Sequence, residues 1–460
     1  MTVVRAVEEP ASLPTERAWL AEDWWSVVIG LAAVIASTIA FTSGFSVAWF
    51  VVVPSVWSEL PELWAQFAQD GVRYAAQGLV MLVVFTCAAR MIGHRPANFA
   101  AGFAVVYLLS VAILCASAWK NSRQLFIETP IMALVLGLVL ANAVRLPAWL
   151  RSGLRAEFYI KVGVVLLGAT LPLPVIMLAG PIAILQASIA SIVTFFVIYN
   201  VARLLNLDRR LAAMLAGGGS ICGLSAVMAI AGAVRAKRED ISVATTIVVG
   251  WALVMIVLLP LLAHAWFLPA GVGGAWIGTS EYADAAGFAA AQTYGGFARA
   301  GSISGTPDQA LWSYTLVKVV GRDMWIGIWA ALLSVIAVTR WEVAESGRRV
   351  DLSQIWTRFP KFILGFILAS LLMSWAGHSD SFTDFETFTR PRLIAPIDTL
   401  RNWVFTFSFL SIGASLRIQR LAPVTGDAFV AFSVGVLVNV VLGFFLSAVV
   451  FESYWASIAR

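Results

Sequence analysis

Long apolar stretches separated by short polar connections run the whole length of the chain. About thirteen of them approach the 20 or so mainly apolar residues that carry a helix across a hydrocarbon core. They open near Ser26, Arg73, Ala97, Thr129, Glu157, Gly180, Arg209, Ile241, Ala275, Leu311, Pro360, Thr399 and Asp427. The pattern predicts an all-α integral membrane protein. Between the first two runs, Pro54 and the aromatic, acidic sequence WSELPELWAQFAQD read as an interfacial segment, with Trp57 and Trp64 at headgroup level.

Composition narrows the class. Of 460 residues, 60% are hydrophobic and 12% charged, about half the charge of a typical soluble domain. Mean hydropathy is +0.86. A soluble enzyme, a nucleic-acid-binding protein and a disordered chain are excluded on these grounds. The net charge of +5 is modest, and its basic residues sit in short clusters between apolar runs, as in a membrane protein. Loops on the N-terminal side carry more Lys and Arg than those opposite, so the N-terminus is expected in the cytoplasm of a bacterial cell, at its inner membrane. The acidic N-terminal stretch does not read as a signal peptide. Cys87, Cys115 and Cys222 form no CxxC, and His94, His264 and His378 have no metal-ligand spacing. Neither a metal nor a cofactor is expected.

An internal repeat organises the middle and end of the chain. Leu136-Gly-Leu-Val-Leu-Ala-Asn142, preceded by Pro130, resembles Leu364-Gly-Phe-Ile-Leu-Ala-Ser370, preceded by Pro360. One helix later Gly168-Ala-Thr-Leu171 resembles Gly413-Ala-Ser-Leu416. Counted as full crossings, the copies lie an odd number of spans apart and are inverted in the membrane; one re-entrant segment between them reverses that conclusion. Inverted repeats mark secondary transporters.

Three segments carry candidate chemistry. In Ala216-Gly-Gly-Gly-Ser-Ile-Cys-Gly-Leu-Ser225, Gly217, Gly218, Gly219 and Gly223 are costly for a helix. Irregular backbone at membrane depth belongs where it lines a cavity or is buried in protein. Two half-helices meeting near the midplane would aim free N–H groups at the centre and bind an anion, with Ser220 and Ser225 as hydroxyl donors and Ile221 and Cys222 inside the break. Close helix packing is the alternative, since Gly219 and Gly223 have GxxxG spacing. The segment is not a P-loop, and no base partners Ser220 or Cys222 as a nucleophile, so the protein is not read as an enzyme. In the second segment, Gly278, Thr279 and Ser280 precede Glu281 and Asp284, either intramembrane acids or a loop leaving Glu281 in water. In the third, Lys318 and Arg322 share a face of an apolar helix, to pair with Asp323, Glu281 or Asp284 or to meet an anion. Lys161 is expected to snorkel from a helix end.

GGGSICGLSAVMAIAGAVRAKREDISVATTIVV resembles the signature segment of the YeiH-type sulfate exporter family. The LGLVLAN, VGVVLLGATL, GTS and GASL segments come in that family's order. The resemblance runs from about Ala97 to Ser447. It implies an inverted-repeat transporter in which two discontinuous helices cross and bind a small anion. Departures are the N-terminal extension, the absence of the histidine implied after GTS, and a spacing of four between Lys318 and Arg322 where three is implied.

The domain reading is a cytoplasmic tail (1–23), an extension with two extra spans (24–96) and a transporter core (97–460). The functional reading is a secondary active transporter of sulfate or a related inorganic or organic anion, driven by an ion gradient. Gly217 to Gly223, Ser225, Gly278 to Ser280, Lys318 and Arg322 would bind substrate, and Glu281 and Asp284 would couple to a proton or sodium. A sodium/proton antiporter and a passive anion channel are the alternatives. Expected partners are the bilayer, the anion and the coupling ion, and no nucleic acid; a homodimer is expected from fold analogy alone.

Overall fold

The computed structural model describes residues 16–124, 128–171, 173–341, 360–376, 385–415 and 426–458. Residues 1–15 of the tail, His378 and Leu416 lie outside them. Helix α1 (Glu16–Thr42) is followed by α2 (Leu60–Ile92), α3 (Pro96–Ala118), α4 (Thr129–Ala143), α5 (Ala156–Gly168) and α6 (Leu173–Leu204). Next come α7 (Arg209–Ser220), α8 (Leu224–Val234), α9 (Arg238–Ala265), α10 (Ala270–Ser280) and α11 (Asp284–Arg299). Helix α12 (Pro307–Thr315) continues through a π-helical segment (Leu316–Arg322) towards α13 (Trp325–Ile336), and α14 (Lys361–Ala376), α15 (Ala395–Ser415) and α16 (Gly426–Phe445) follow.

Every apolar run of the sequence is helical. Among the described residues, seven helices are long and apolar enough to cross a membrane by length and composition; α4, α8 and most of α14 are shorter apolar helices. Two runs are each split into a pair, α7 with α8 and α10 with α11. Helix starts follow local chemistry. Pro61, Pro96 and Pro130 fall at the first positions of α2, α3 and α4, where a missing N–H costs nothing. Thr306 and Gln309 form a reciprocal capping box at α12, with bonds of 3.2 and 2.9 Å.

The sequence WSELPELWAQFAQD leads into α2, which begins at Leu60 and continues through it to Ile92. The extension is joined to the core. Gln77 Oε1 accepts from Val52 N at 2.8 Å, the Val52 carbonyl accepts from Trp403 Nε1 at 2.8 Å, and Tyr107 stacks on Trp403.

The repeat is visible as reciprocal packing. A Cβ on Gly413 would collide with the Leu134 carbonyl of α4, and one on Gly168 with the Phe366 carbonyl of α14. Each copy's GA[TS]L glycine therefore lies against the backbone of the other copy's Pro-initiated helix. Only a residue without a side chain permits that approach.

Candidate functional site

Both breaks fall inside apolar runs. Helix α7, capped by Asp208 accepting from Arg210 N at 2.8 Å, ends at Ser220. Ile221 to Gly223 leave the helix, and Gly223 has φ +65° and ψ −122°, a conformation that requires glycine. Helix α8 then starts, and the N–H groups of Leu224, Ser225 and Ala226 open it without intrahelical acceptors. The second break runs from Glu281 to Ala283, both of which are extended, with Asp284 opening α11. The two breaks touch: a Cβ on Gly223 would lie 3.3 Å from Ala283 Cα.

The three glycines Gly217 to Gly219 are not in the break. They form the last turns of α7 and pack closely, with Ile230, Val227 and Val248, and Ile198 and Phe432 where their Cβ atoms would be. The packing reading holds for them, and the broken-helix reading holds for Gly223. Gly278 to Ser280 likewise form the last turn of α10, and Gly278 brings it against the Tyr314 backbone. Glu281 is buried and is not in water.

The π-helical segment supplies the charges. Arg322 Nε donates to the Ser220 carbonyl at 2.8 Å and Nη2 to the Gly219 carbonyl at 2.8 Å. Its Nη1 donates to the Thr279 carbonyl at 2.6 Å and, at 3.4 Å, to that of Glu281. One guanidinium thus satisfies carbonyls at the C-terminal ends of both broken helices. Lys318 pairs with Asp284 and, at 2.5 Å, with Asp323. The Asp323 N–H bonds to the Lys318 carbonyl at 3.0 Å, the i to i+5 closure of a π turn. π turns of this kind are rare and occur frequently at functional sites.

Several polar atoms at the breaks have no hydrogen-bond partner: Ser220 Oγ, Ser280 Oγ and Glu281 Oε2, all on fully buried residues. Glu281 Oε1 accepts from Ala283 N at 2.9 Å. Among the described residues no group of three His, Cys, Asp or Glu side chains is placed to hold a metal ion.

Of the residues named from the sequence, the structure brings Gly219, Ser220, Gly223, Thr279, Glu281, Asp284, Lys318 and Arg322 together, and it adds others. Gln186 Nε2 donates to Thr279 Oγ1 at 2.6 Å and to Ser447 Oγ at 2.7 Å, while its Oε1 accepts from Trp455 Nε1 at 2.8 Å. Asn439 Nδ2 donates to the Ser280 carbonyl at 2.8 Å. Gln186 and Asn439 are fully buried in apolar helices, and a lone amide inside an apolar run is the signal that marks them. Lys161 does not snorkel. It is 3% exposed and pairs with Asp23 of α1 at 2.7 Å, because α1 covers the helix end that the sequence reading leaves open.

Comparison with known proteins gives the family. The family described as conserved hypothetical protein 698 matches residues 101–431. A UPF0324 membrane protein of Rhodopirellula baltica is 29% identical over 384 residues, covering 82% of this chain and 68% of the relative. One from Nitratidesulfovibrio vulgaris is 30% identical over 82% of this chain and 64% of its own length, so the chain spans about two thirds of these relatives. One from Nitrosomonas europaea is 27% identical over 87% of this chain and 89% of the relative. No solved structure matches the chain. With seven apolar helices and relatives named as membrane proteins, this is a multi-pass membrane protein.

Proposed function

The chain belongs to the family described as conserved hypothetical protein 698, and on that premise we propose that it is a secondary active transporter of a small anion, sulfate or a related species, across the bacterial inner membrane. The observation that supports this most directly is the position of Arg322. A broken helix offers carbonyls with partial negative charge at one end and N–H groups with partial positive charge at the other. A cation needs the carbonyl ends, and Arg322 already holds those of Gly219, Ser220, Thr279 and Glu281. Lys318 occupies Asp284 and Asp323 in the same way. Beside one unpartnered carboxylate oxygen, Glu281 Oε2, what stays open is donor capacity: the first N–H groups of α8, with the hydroxyls of Ser220 and Ser225 beside them. Donor capacity suits an anion and disfavours the sodium/proton antiporter.

In this reading Ser220 to Gly223, Ser225 and Gly278 to Ser280 form the substrate-binding elements. Lys318 and Arg322 supply the positive field and hold the frame, and Glu281 and Asp284 are the coupling acids. The two repeat copies are read as inverted, and alternating access as one repeat moving against the other. Counterflow in proteoliposomes tests it, with sulfate, sulfite, thiosulfate, bicarbonate, small carboxylates and sulfonates as probes. The expected result is trans-stimulated uptake of at least one anion, lost in the Ser220→Ala, Ser225→Ala double variant. Anion flux without trans-stimulation makes the protein a channel. Sodium or lithium flux without anion flux overturns the anion reading.

A further inference from the structure

The second break leaves one acceptor unused, and contacts tie it to the start of α8. Glu281 Oε1 accepts from Ala283 N at 2.9 Å, and Ala283 Cα lies 3.3 Å from the position of a Gly223 Cβ. Gly223 is the N-cap of α8, whose first N–H groups, those of Leu224, Ser225 and Ala226, have no intrahelical acceptor. The other carboxylate oxygen, Glu281 Oε2, is buried and accepts from no group. Ser220 Oγ, at the end of α7, is also buried without a partner. Arg322 donates to the carbonyls of both residues, Ser220 at 2.8 Å and Glu281 at 3.4 Å. One guanidinium therefore holds together the residue with the free hydroxyl in the first break and the residue with the free carboxylate oxygen in the second.

The cations of the site are committed elsewhere. Arg322 donates to backbone carbonyls. Lys318 pairs with Asp284 and Asp323, and Glu281 makes no ion pair among the described residues. A buried carboxylate oxygen without a donor is costly, so a ligand that fits this site brings the missing hydrogen. A metal cation would meet that single oxygen beside the positive end of α8, which disfavours it. An anion without a donor, placed on the α8 N–H groups, would leave Oε2 unpaired and close to its own charge. An anion with an N–H or O–H of its own satisfies both parts. Its charged oxygens take the helix N–H groups and the Ser220 hydroxyl, and its hydrogen goes to Oε2 in a charge-assisted bond.

We propose that the site selects small anions that carry their own hydrogen-bond donor, and that Glu281 is the residue that recognises the donor. Selection works by exclusion as much as by attraction, since the buried acceptor penalises every anion that leaves it unpaired. The proposal rests on the anion reading above and narrows its substrate class. A proton on Oε2 would use the same acceptor, so candidate anions are compared at one mildly alkaline pH.

Purified full-length protein in detergent is titrated with two pairs of anions, sulfamate against methanesulfonate and bicarbonate against nitrate. Binding is read from the rise in unfolding temperature with ligand concentration. The members of a pair share shape and a single negative charge, and differ in an N–H donor in the first pair and an O–H donor in the second. In at least one pair the donor-bearing anion is expected to bind roughly tenfold or more tightly than its partner, the scale of a hydrogen bond to a charged group. The pair that shows the preference tells an N–H ligand from an O–H one. In Glu281→Gln the preference is expected to vanish or reverse. The Ala283 N–H keeps the amide oxygen on its side, so the amide nitrogen replaces Oε2 and presents a donor where an acceptor stood. The wild-type comparison needs no variant and decides the matter even if Glu281→Gln fails to fold. Equal binding within both pairs, or a preference that survives intact in Glu281→Gln, overturns the proposal and leaves the anion reading standing. Binding of none of these anions overturns it as well, and the counterflow measurement then decides the anion reading separately.

Discussion

Gly223 and Ala283 meet across the centre of the protein, the position of a Gly223 Cβ lying 3.3 Å from Ala283 Cα. Each belongs to a helix break, and neither break would be stable alone, since its backbone groups have no helical partner. Their contact puts the C-terminal carbonyls of α7 and α10 within reach of one side chain, Arg322. The breaks are thus a single unit, braced from the π-helical segment.

Arg322→Lys keeps the charge and loses the fork. A single ammonium does not reproduce the geometry that serves Gly219, Ser220, Thr279 and Glu281. Each buried carbonyl left without a donor costs about 1–3 kcal/mol. The variant is expected to unfold at a clearly lower temperature in detergent than the wild type, with transport lost. Wild-type stability in thermal unfolding would mean that the brace is not what holds the breaks together.

Lys318 is fully buried between two carboxylates. Lys318→Met strands both, a change expected to cost about 3–5 kcal/mol as for other broken buried pairs. Adding Asp284→Asn and Asp323→Asn removes the stranded charges and is expected to recover most of the stability while transport stays absent. A triple variant no more stable than Lys318→Met would show that shape, and not charge, sets the cost.

The repeat glycines separate hard contacts from soft ones. At Gly413 an added methyl meets the Leu134 carbonyl of α4, which can move only if the helices part. At Gly217 it meets the terminal methyl of Ile230, which can turn away. Gly413→Ala is therefore expected to cost at least the 1–3 kcal/mol typical of overpacking, and Gly217→Ala less. Chemical or thermal unfolding of the pair decides it; equal losses would show that α7 is as rigidly held as the crossing of α4 and α15.

Much of this was legible in the sequence because the bilayer permits so few solutions. Apolar length located the helices, and irregular backbone at that depth had to be buried or line a cavity, which singled out the segments around Gly223 and Glu281. The exact positions were not legible. Glycine runs signal both breakage and close packing, and only tertiary contacts separate Gly217 to Gly219, which pack, from Gly223, which turns. The roles of Lys318 and Arg322 were also hidden, since their partners, Asp284 and the carbonyls of two other helices, are remote in the chain. Gln186 and Asn439 were visible as polar residues in apolar runs, but nothing local said that both faced the second break.

The last prediction concerns α1, which sequence pattern alone treats as an appendage. Asp23 joins three helices: its carboxylate pairs with Lys161 of α5 at 2.7 Å and accepts from the Lys361 N–H of α14 at 3.0 Å. Lys161 is 3% exposed, so its charge needs that partner. Asp23→Ala is expected to cost about 3–5 kcal/mol, the range for leaving one member of a buried pair alone. Asp23→Leu with Lys161→Met removes both charges and is expected to recover most of that loss, short of the roughly 1–3 kcal/mol for the Lys361 N–H left without its acceptor. The cycle is read by thermal unfolding of the single and double variants. If Asp23→Ala is as stable as the wild type, Lys161 is balanced by Glu22 and Glu157, the other acids it faces. In that case α1 is held to the core by apolar packing and not by its charge.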